Sequence, residues 1–217
     1  MKHHLLMIVF AACFAVFQPA SAMAAGNGGG TDMTNVETGL KALENEDYTA
    51  ARVAFTAAAG HGDPLGHYYL GAMYQRGLGG DRSEVKALEH YRKAAEQEVP
   101  EAEFAMGLFY QHGKAFLQKN PDVSVAWYEK AASQGSAAAK YNLAIMYATG
   151  EAVPLAYGSN PDYIKARGWF LITLDDMETP DDKSKVEALI EELEGHMTPG
   201  QIDRSKAFYD TWTAENK

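Results

Sequence analysis

Histidine is the side chain best suited to proton transfer and metal binding near neutral pH, and the chain has seven. His3 and His4 stand at the extreme N-terminus. His61, Asp63 and His67 come nearest to a metal cluster, but Pro64 lies among them. A turn at that point offers no helical ligand pair, so these residues read as a surface turn. His90 and His112 fall on different predicted helices and form no recognisable pair. No Gly-x-Ser-x-Gly elbow and no His-Glu-x-x-His motif occurs. Gly77-Leu78-Gly79-Gly80 has the glycines of a phosphate loop, yet it follows a helical pattern rather than a strand and lacks the lysine. Carboxylates are plentiful, but nothing aligns two of them across a cleft. The expectation is a chain with no catalytic residue, no metal and no cofactor.

Residues suited to binding are easier to find. Tyr68, Phe104 and Tyr141 are each followed four residues later by Ala72, Leu108 and Ile145, a spacing that puts each pair on one helical face. Gln75 with Arg76, and Gln111 with His112, continue that face towards the helix ends. An aromatic–aliphatic strip with a polar margin suits a peptide or a helix as ligand. The competing reading packs the aromatics against neighbouring helices as framework. Two long loops, Lys114 to Asp122 and Glu151 to Asp162, bring Phe116, Leu117, Val153, Leu155 and Tyr157, more apolar surface than a solvated loop wants. They are expected to pack on each other and wall one side of a partner site; the alternative is that they are spacers.

The elements that must position these residues repeat. Tyr91, Ala94-Ala95, Met106 and Tyr110 recur as Tyr128, Ala131-Ala132, Leu143 and Tyr147, each 37 residues on. Ala51 and Phe55 precede Ala87 and Tyr91 by 36. A period of this length in helical sequence means stacked helical hairpins. Val36, Leu40 and Leu43 form a shortened first helix; Gly77 and Gly150 supply helix stops, and Ser83 an N-cap. Leu70, Met106 and Leu143 are expected in the core, together with Tyr74, Tyr110 and Tyr147. After Trp169-Phe170 the pattern fails, with Leu-Ile-Thr-Leu at 171–174 replacing the small residues. Asp181 to Glu194 is amphipathic, and Thr198-Pro199-Gly200-Gln201 looks like a capping box opening a last helix.

LGAMYQRGLGGD, KALEHYRKAAEQ, AWYEKAASQG and AKYNLAIMYATG resemble the Sel-one-like repeat, a tetratricopeptide-type family, across about Leu40 to Asp175. The departures are Ala144 where the family has glycine, the 171–174 segment and the two long loops. The resemblance implies an all-α, right-handed solenoid of about four helix-turn-helix repeats. The array is expected over 34–177, with a capping helix pair over 178–217. It also implies an adaptor that binds another protein or peptide. Some cysteine-rich secreted members are linked to β-lactams, but their cysteines are missing here. An envelope enzyme or cell-wall-binding protein acting on peptidoglycan or β-lactams, and a self-associating structural part, are the rival readings.

Composition and the N-terminus set the context. The net charge of −10 argues against nucleic acid, which needs a clustered basic surface. Residues 1–24 read as a signal peptide: Lys2, an apolar run of 13 from Leu5 to Phe17, then small residues through Ala20-Ser21-Ala22. Cleavage after Ala22 or Ala24 implies a periplasmic or secreted protein with no transmembrane span. Residues 25–33 form a glycine-rich leader. Cys13, the one cysteine, falls inside the apolar run. Phe10 before it, and the apolar sequence after it, argue against lipid attachment.

Overall fold

Each helix begins where the sequence supplies a cap and ends where it supplies a turn. In the computed structural model, residues 33–152 and 161–216 are described; the expected signal peptide, Cys13 and loop residues Val153, Leu155 and Tyr157 lie outside them. Ten helices and no strand occur among the described residues. They are α1 (Met33–Glu44), α2 (Tyr48–Gly60), α3 (Pro64–Arg76), α4 (Glu84–Ala95), α5 (Pro100–His112), α6 (Pro121–Ser133), α7 (Ala137–Thr149), α8 (Tyr163–Asp175), α9 (Pro180–Glu194) and α10 (Pro199–Glu215). The fold class is the all-α solenoid expected.

The caps follow the rule that a short side-chain oxygen satisfies orphan N–H groups of the first turn. Asp63 accepts from the Leu65 and Gly66 amides at 2.8 and 3.2 Å. Ser83 accepts from Lys86 at 3.3 Å, Asn120 from Val123 at 3.2 Å and Asp162 from Lys165 at 3.1 Å. Gly77 and Gly150 end α3 and α7 in the left-handed region, at φ 74° and 77°. The Thr198 amide donates to Gln201 Oε1 at 2.8 Å, as a capping box requires.

The chain divides into two compact units after Glu101. In the first, α1 packs on α2 and α3, α2 on α3, and α3 on α4. In the second, α6 packs on α7, and α8 on α7, α9 and α10. Small residues bring the helices close: Ala51, Ala87, Ser124 and Ala166 occupy one repeat position and all are fully buried. A Cβ added at Gly66 would lie 2.6 Å from the Ala59 backbone nitrogen, so α3 meets α2 with backbone contact there. Leu70, Met106 and Leu143 are buried as expected. Tyr74 and Tyr110 are only half-buried, whereas Met73, Phe109 and Met146, one residue earlier, are 1%, 0% and 1% exposed. The core stripe is therefore one position out of register with the expected tyrosines. Only Tyr147 of the three is buried, at 5% exposure.

Candidate functional site

One arrangement recurs through the helical hairpins. Tyr91 of α4 lies against Gly71 of α3, where a Cβ would sit 2.7 Å from its ring. Its hydroxyl donates to Gln75 Oε1 at 2.8 Å. Tyr128 of α6 lies against Gly107 of α5, with the same 2.8 Å bond to Gln111 Oε1. At the corresponding places of the α1–α2 hairpin stand Gly39, Phe55 and Leu43, and Gly39 again abuts the ring. At those of α7 and α8 stand Ala144, Phe170 and Ala148. Where the ring loses its hydroxyl, the acceptor is replaced by an apolar residue too, which leaves no buried amide oxygen unmatched.

The aromatic members of the expected strip brace these rings. In the first unit Tyr68 lies 6.0 Å from Tyr91 between centroids; in the second, Phe104 lies 5.5 Å from Tyr128 and Tyr141 5.9 Å from Phe170. Burial pushes the Tyr68 hydroxyl far above its ordinary range, and the Glu101 carboxylate adds to this. Tyr68, Ala72 and Ile145 are buried, so they belong to the framework rather than to an open strip. Phe104, Leu108 and Tyr141 keep part of their surface. Gln75 and Gln111 are half-buried, while Arg76 and His112 are exposed. The partly open aromatic–aliphatic surface is thus carried by the second unit.

A polar chain borders that surface. Asn142 Nδ2 donates to the Tyr128 hydroxyl at 3.3 Å, that hydroxyl donates to Gln111, and Gln111 Nε2 donates to Glu151 Oε2 at 3.2 Å. Lys119 Nζ lies 3.8 Å from Glu151 Oε1, so the first residue of the second long loop meets the end of the first. Partial desolvation beside Lys114 holds the His112 imidazole below its usual pKa.

Phe116 is 96% exposed; the second-loop residues expected to pack on it lie outside the described residues. Ala115 and Phe116 both take left-handed backbone, at φ 52° and 64°. Gly113 starts the same turn at φ 64°, and the Asn120 amide closes it on the Tyr110 carbonyl at 2.9 Å. The ring is held outward by a fixed turn.

One sequence-level reading needs correction. Asp63 and His67 do not form a surface turn; both are buried, Asp63 as the cap of α3. His67 meets His90 of α4, Nδ1 to Nδ1, at 3.0 Å. Their separation of 23 residues across a loop hid the pair. The signal that was available is the repeat itself, since His67, Glu103 and Lys140 share one buried register position. Each there meets a polar partner: His90, Gln134 at 2.7 Å and Asp176 at 2.7 Å. Among the described residues no group of three or more His, Cys, Asp or Glu side chains is placed to hold a metal, and no described helix is long and apolar enough to cross a membrane.

Helical hairpins that repeat one ring-against-small-residue contact define a helical-repeat protein of the tetratricopeptide type. The repeat profile that matches is the Sel1 repeat, over residues 64–99, 100–136 and 137–172, which are α3–α4, α5–α6 and most of α7–α8. The chain belongs to the Sel1 repeat family. The α1–α2 hairpin lies outside these segments yet carries the same glycine–ring contact. The chain is 36% identical over 96 residues to chitin synthase regulatory factor 3 of Schizosaccharomyces pombe, covering 43% of this chain and 10% of that one. It is 36% identical over 80 residues to chitin synthase regulator SKT5 of Saccharomyces cerevisiae, covering 36% and 11%. It therefore spans about a tenth of the length of these two relatives. A crystal structure of a Sel1 repeat protein from Oxalobacter formigenes superposes with a TM-score of 0.63 at 25% identity, over 83% of this chain and 68% of that one. Proteins of Sel1 repeats are generally interaction scaffolds and typically not enzymes.

Proposed function

We propose that this chain is an exported, non-catalytic adaptor that binds a protein or peptide through its second unit. Phe116 is the anchor, and Phe104, Leu108 and Tyr141 form the surface beside it. The carrying observation is the 96% exposed Phe116 ring on left-handed backbone. Left-handed geometry costs a non-glycine residue about 1–2 kcal/mol, and an exposed ring forgoes roughly 1.5–3 kcal/mol of burial. A feature with both costs and no packing among the described residues is accounted for when a partner covers the ring. The two fungal relatives are named as regulators of an enzyme, which supports a binding role. Export is supported by Lys2, the apolar run and Ala20-Ser21-Ala22.

The test is affinity capture from periplasmic extract, with the purified protein as bait and its partner identified by mass spectrometry. Phe116→Ser is expected to lose that partner at least tenfold while the circular dichroism and melting temperature stay unchanged. Undiminished binding by this variant would refute the anchor. Loss of binding only in Phe104→Ala/Leu108→Ala, with helicity kept, would move the site onto α5. Turnover of a chromogenic β-lactam or of labelled peptidoglycan above a buffer blank would overturn the adaptor reading altogether. The mass of the protein recovered from the periplasm should correspond to cleavage after Ala22 or Ala24.

A further inference from the structure

The first unit has a part-buried pair of titratable rings that the adaptor reading does not use. His67, 8% exposed, and His90 face each other with Nδ1 atoms 3.0 Å apart. Their ring centroids are 5.2 Å apart, close to that distance plus the two ring radii, so the nitrogens point head-on. This is hydrogen-bond geometry: one ring holds a proton on Nδ1 and donates it to the lone pair of the other. Tetrahedral zinc at bond lengths of roughly 2.0–2.1 Å would set the two nitrogens about 3.3 Å apart, and among the described residues no third His, Cys, Asp or Glu is grouped with them to complete such a site.

The geometry sets the number of protons the pair can carry. With both rings neutral, or with one protonated, one Nδ1–H and one acceptor are present and the contact holds. With both protonated, two N–H groups oppose each other at 3.0 Å and the rings must separate. We propose that His67 and His90 form an acid-sensitive latch that closes α3 on α4 at neutral pH and opens when both rings take up a proton.

The surroundings reinforce this. On the α2 side Arg52 lies over the Tyr74 ring at 4.2 Å, and Tyr74 of α3 stacks on His90 at 5.5 Å. From α4 come Lys86, 5.3 Å from the Tyr74 centroid, and Lys93, which acts on both imidazoles. Against these cations stand Asp63 beside His67 and Glu89 beside His90. Asp63 Oδ1 is already committed to two backbone amides. Desolvation, then the His67 ring, then Lys93 hold His90 down at about 4 from an ordinary 6.5; His67 is also lowered, first by burial. The folded state thus resists protons that the unfolded chain accepts. Stability is fully present above about 6.5 and is lost as pH falls towards about 4.

The experiment needs no partner. Histidine ring nitrogens of the full mature protein are followed by NMR from pH 8 to 4, with urea unfolding across the same range. One Nδ1-protonated tautomer is expected at pH 7.5, with both rings titrating below the ordinary imidazole value of 6.5. The unfolding constant should rise about tenfold per pH unit for each extra proton bound by the unfolded state. His90→Gln keeps a polar side chain but cannot charge, so it should flatten that dependence. Parallel pH profiles for wild type and His90→Gln would sink the latch. Two Nε2-protonated tautomers at pH 7.5, or His67 and His90 titrating at or above 6.5, would sink it without any variant.

Discussion

The Gln75 amide oxygen is held by the Tyr91 hydroxyl, and it is useful only while that hydroxyl is there. Tyr91→Phe is expected to cost about 1–3 kcal/mol, the penalty of an acceptor left without its donor in a part-buried site. Tyr91→Phe with Gln75→Leu should recover much of that loss, because the α1–α2 hairpin already combines Phe55 with Leu43. A double-mutant cycle by urea denaturation checks it; additive losses would show that the two residues do not act as a pair. Tyr91 and Tyr128 were legible as buried repeat residues from their 37-residue spacing. Their glutamine partners were visible only as a polar margin, because a side-chain bond from one helix to another has no local sequence signature. The same blindness hid His67 and His90. Tyr74 and Tyr110 were misplaced because apolar residues surround the whole helix, so several registers fit equally well.

Between hairpins the backbone reverses through one repeated turn position, held by Gly62, Glu98 and Gly135 at φ 82°, 60° and 91°. Gly135 has open space where a Cβ would go, so Gly135→Ala isolates backbone conformation from packing. It should destabilise by about 1 kcal/mol. Glu98→Gly relieves strain and adds unfolded-state entropy, two opposing terms that leave a gain of roughly 0.5 kcal/mol. Thermal melts of both variants give the signs; stabilisation by Gly135→Ala would contradict the left-handed assignment. The turns and caps were readable because proline, glycine, serine and asparagine act locally. The long loops were readable as insertions, but the outward Phe116 was not, since sequence gives a loop's composition and not its direction. Shortening Glu151–Asp162 to four residues should remove the Gln111 and Lys119 contacts to Glu151 and weaken partner capture. If capture survives with normal melting, the second loop is a spacer.

At the scale of the molecule, the last helices complete the second unit. Trp169 of α8, 2% exposed, packs on Phe208 and Trp212 of α10 at 5.8 and 5.4 Å. Arg167 holds Glu194 of α9 at 2.7 Å and Ser205 of α10 at 2.8 Å. A chain ending after Met177 would uncover Trp169 and leave Arg167 without either partner. It should self-associate in light scattering at concentrations where the full chain does not. A monodisperse truncated protein would show that α9 and α10 do not protect the array. That this pair closes the apolar face was legible from the amphipathic 181–194 stretch and the aromatics after Thr198.

The division after Glu101 has an optical consequence. All three tryptophans, Trp127, Trp169 and Trp212, lie beyond it, and Trp169 Nε1 is buried without a hydrogen-bond partner. Indole emission from this protein is therefore a spectroscopic window on the second unit, with a blue-shifted component from Trp169. Events around His67 and His90 are dark in that window and register in tyrosine signals and amide exchange. Acidification from pH 7.5 to about 4 should lower the protection of α3 and α4 amides, after correction for the intrinsic slowing of exchange in acid, while the emission maximum stays fixed. An emission shift that tracks the exchange would show that acid acts on both units together.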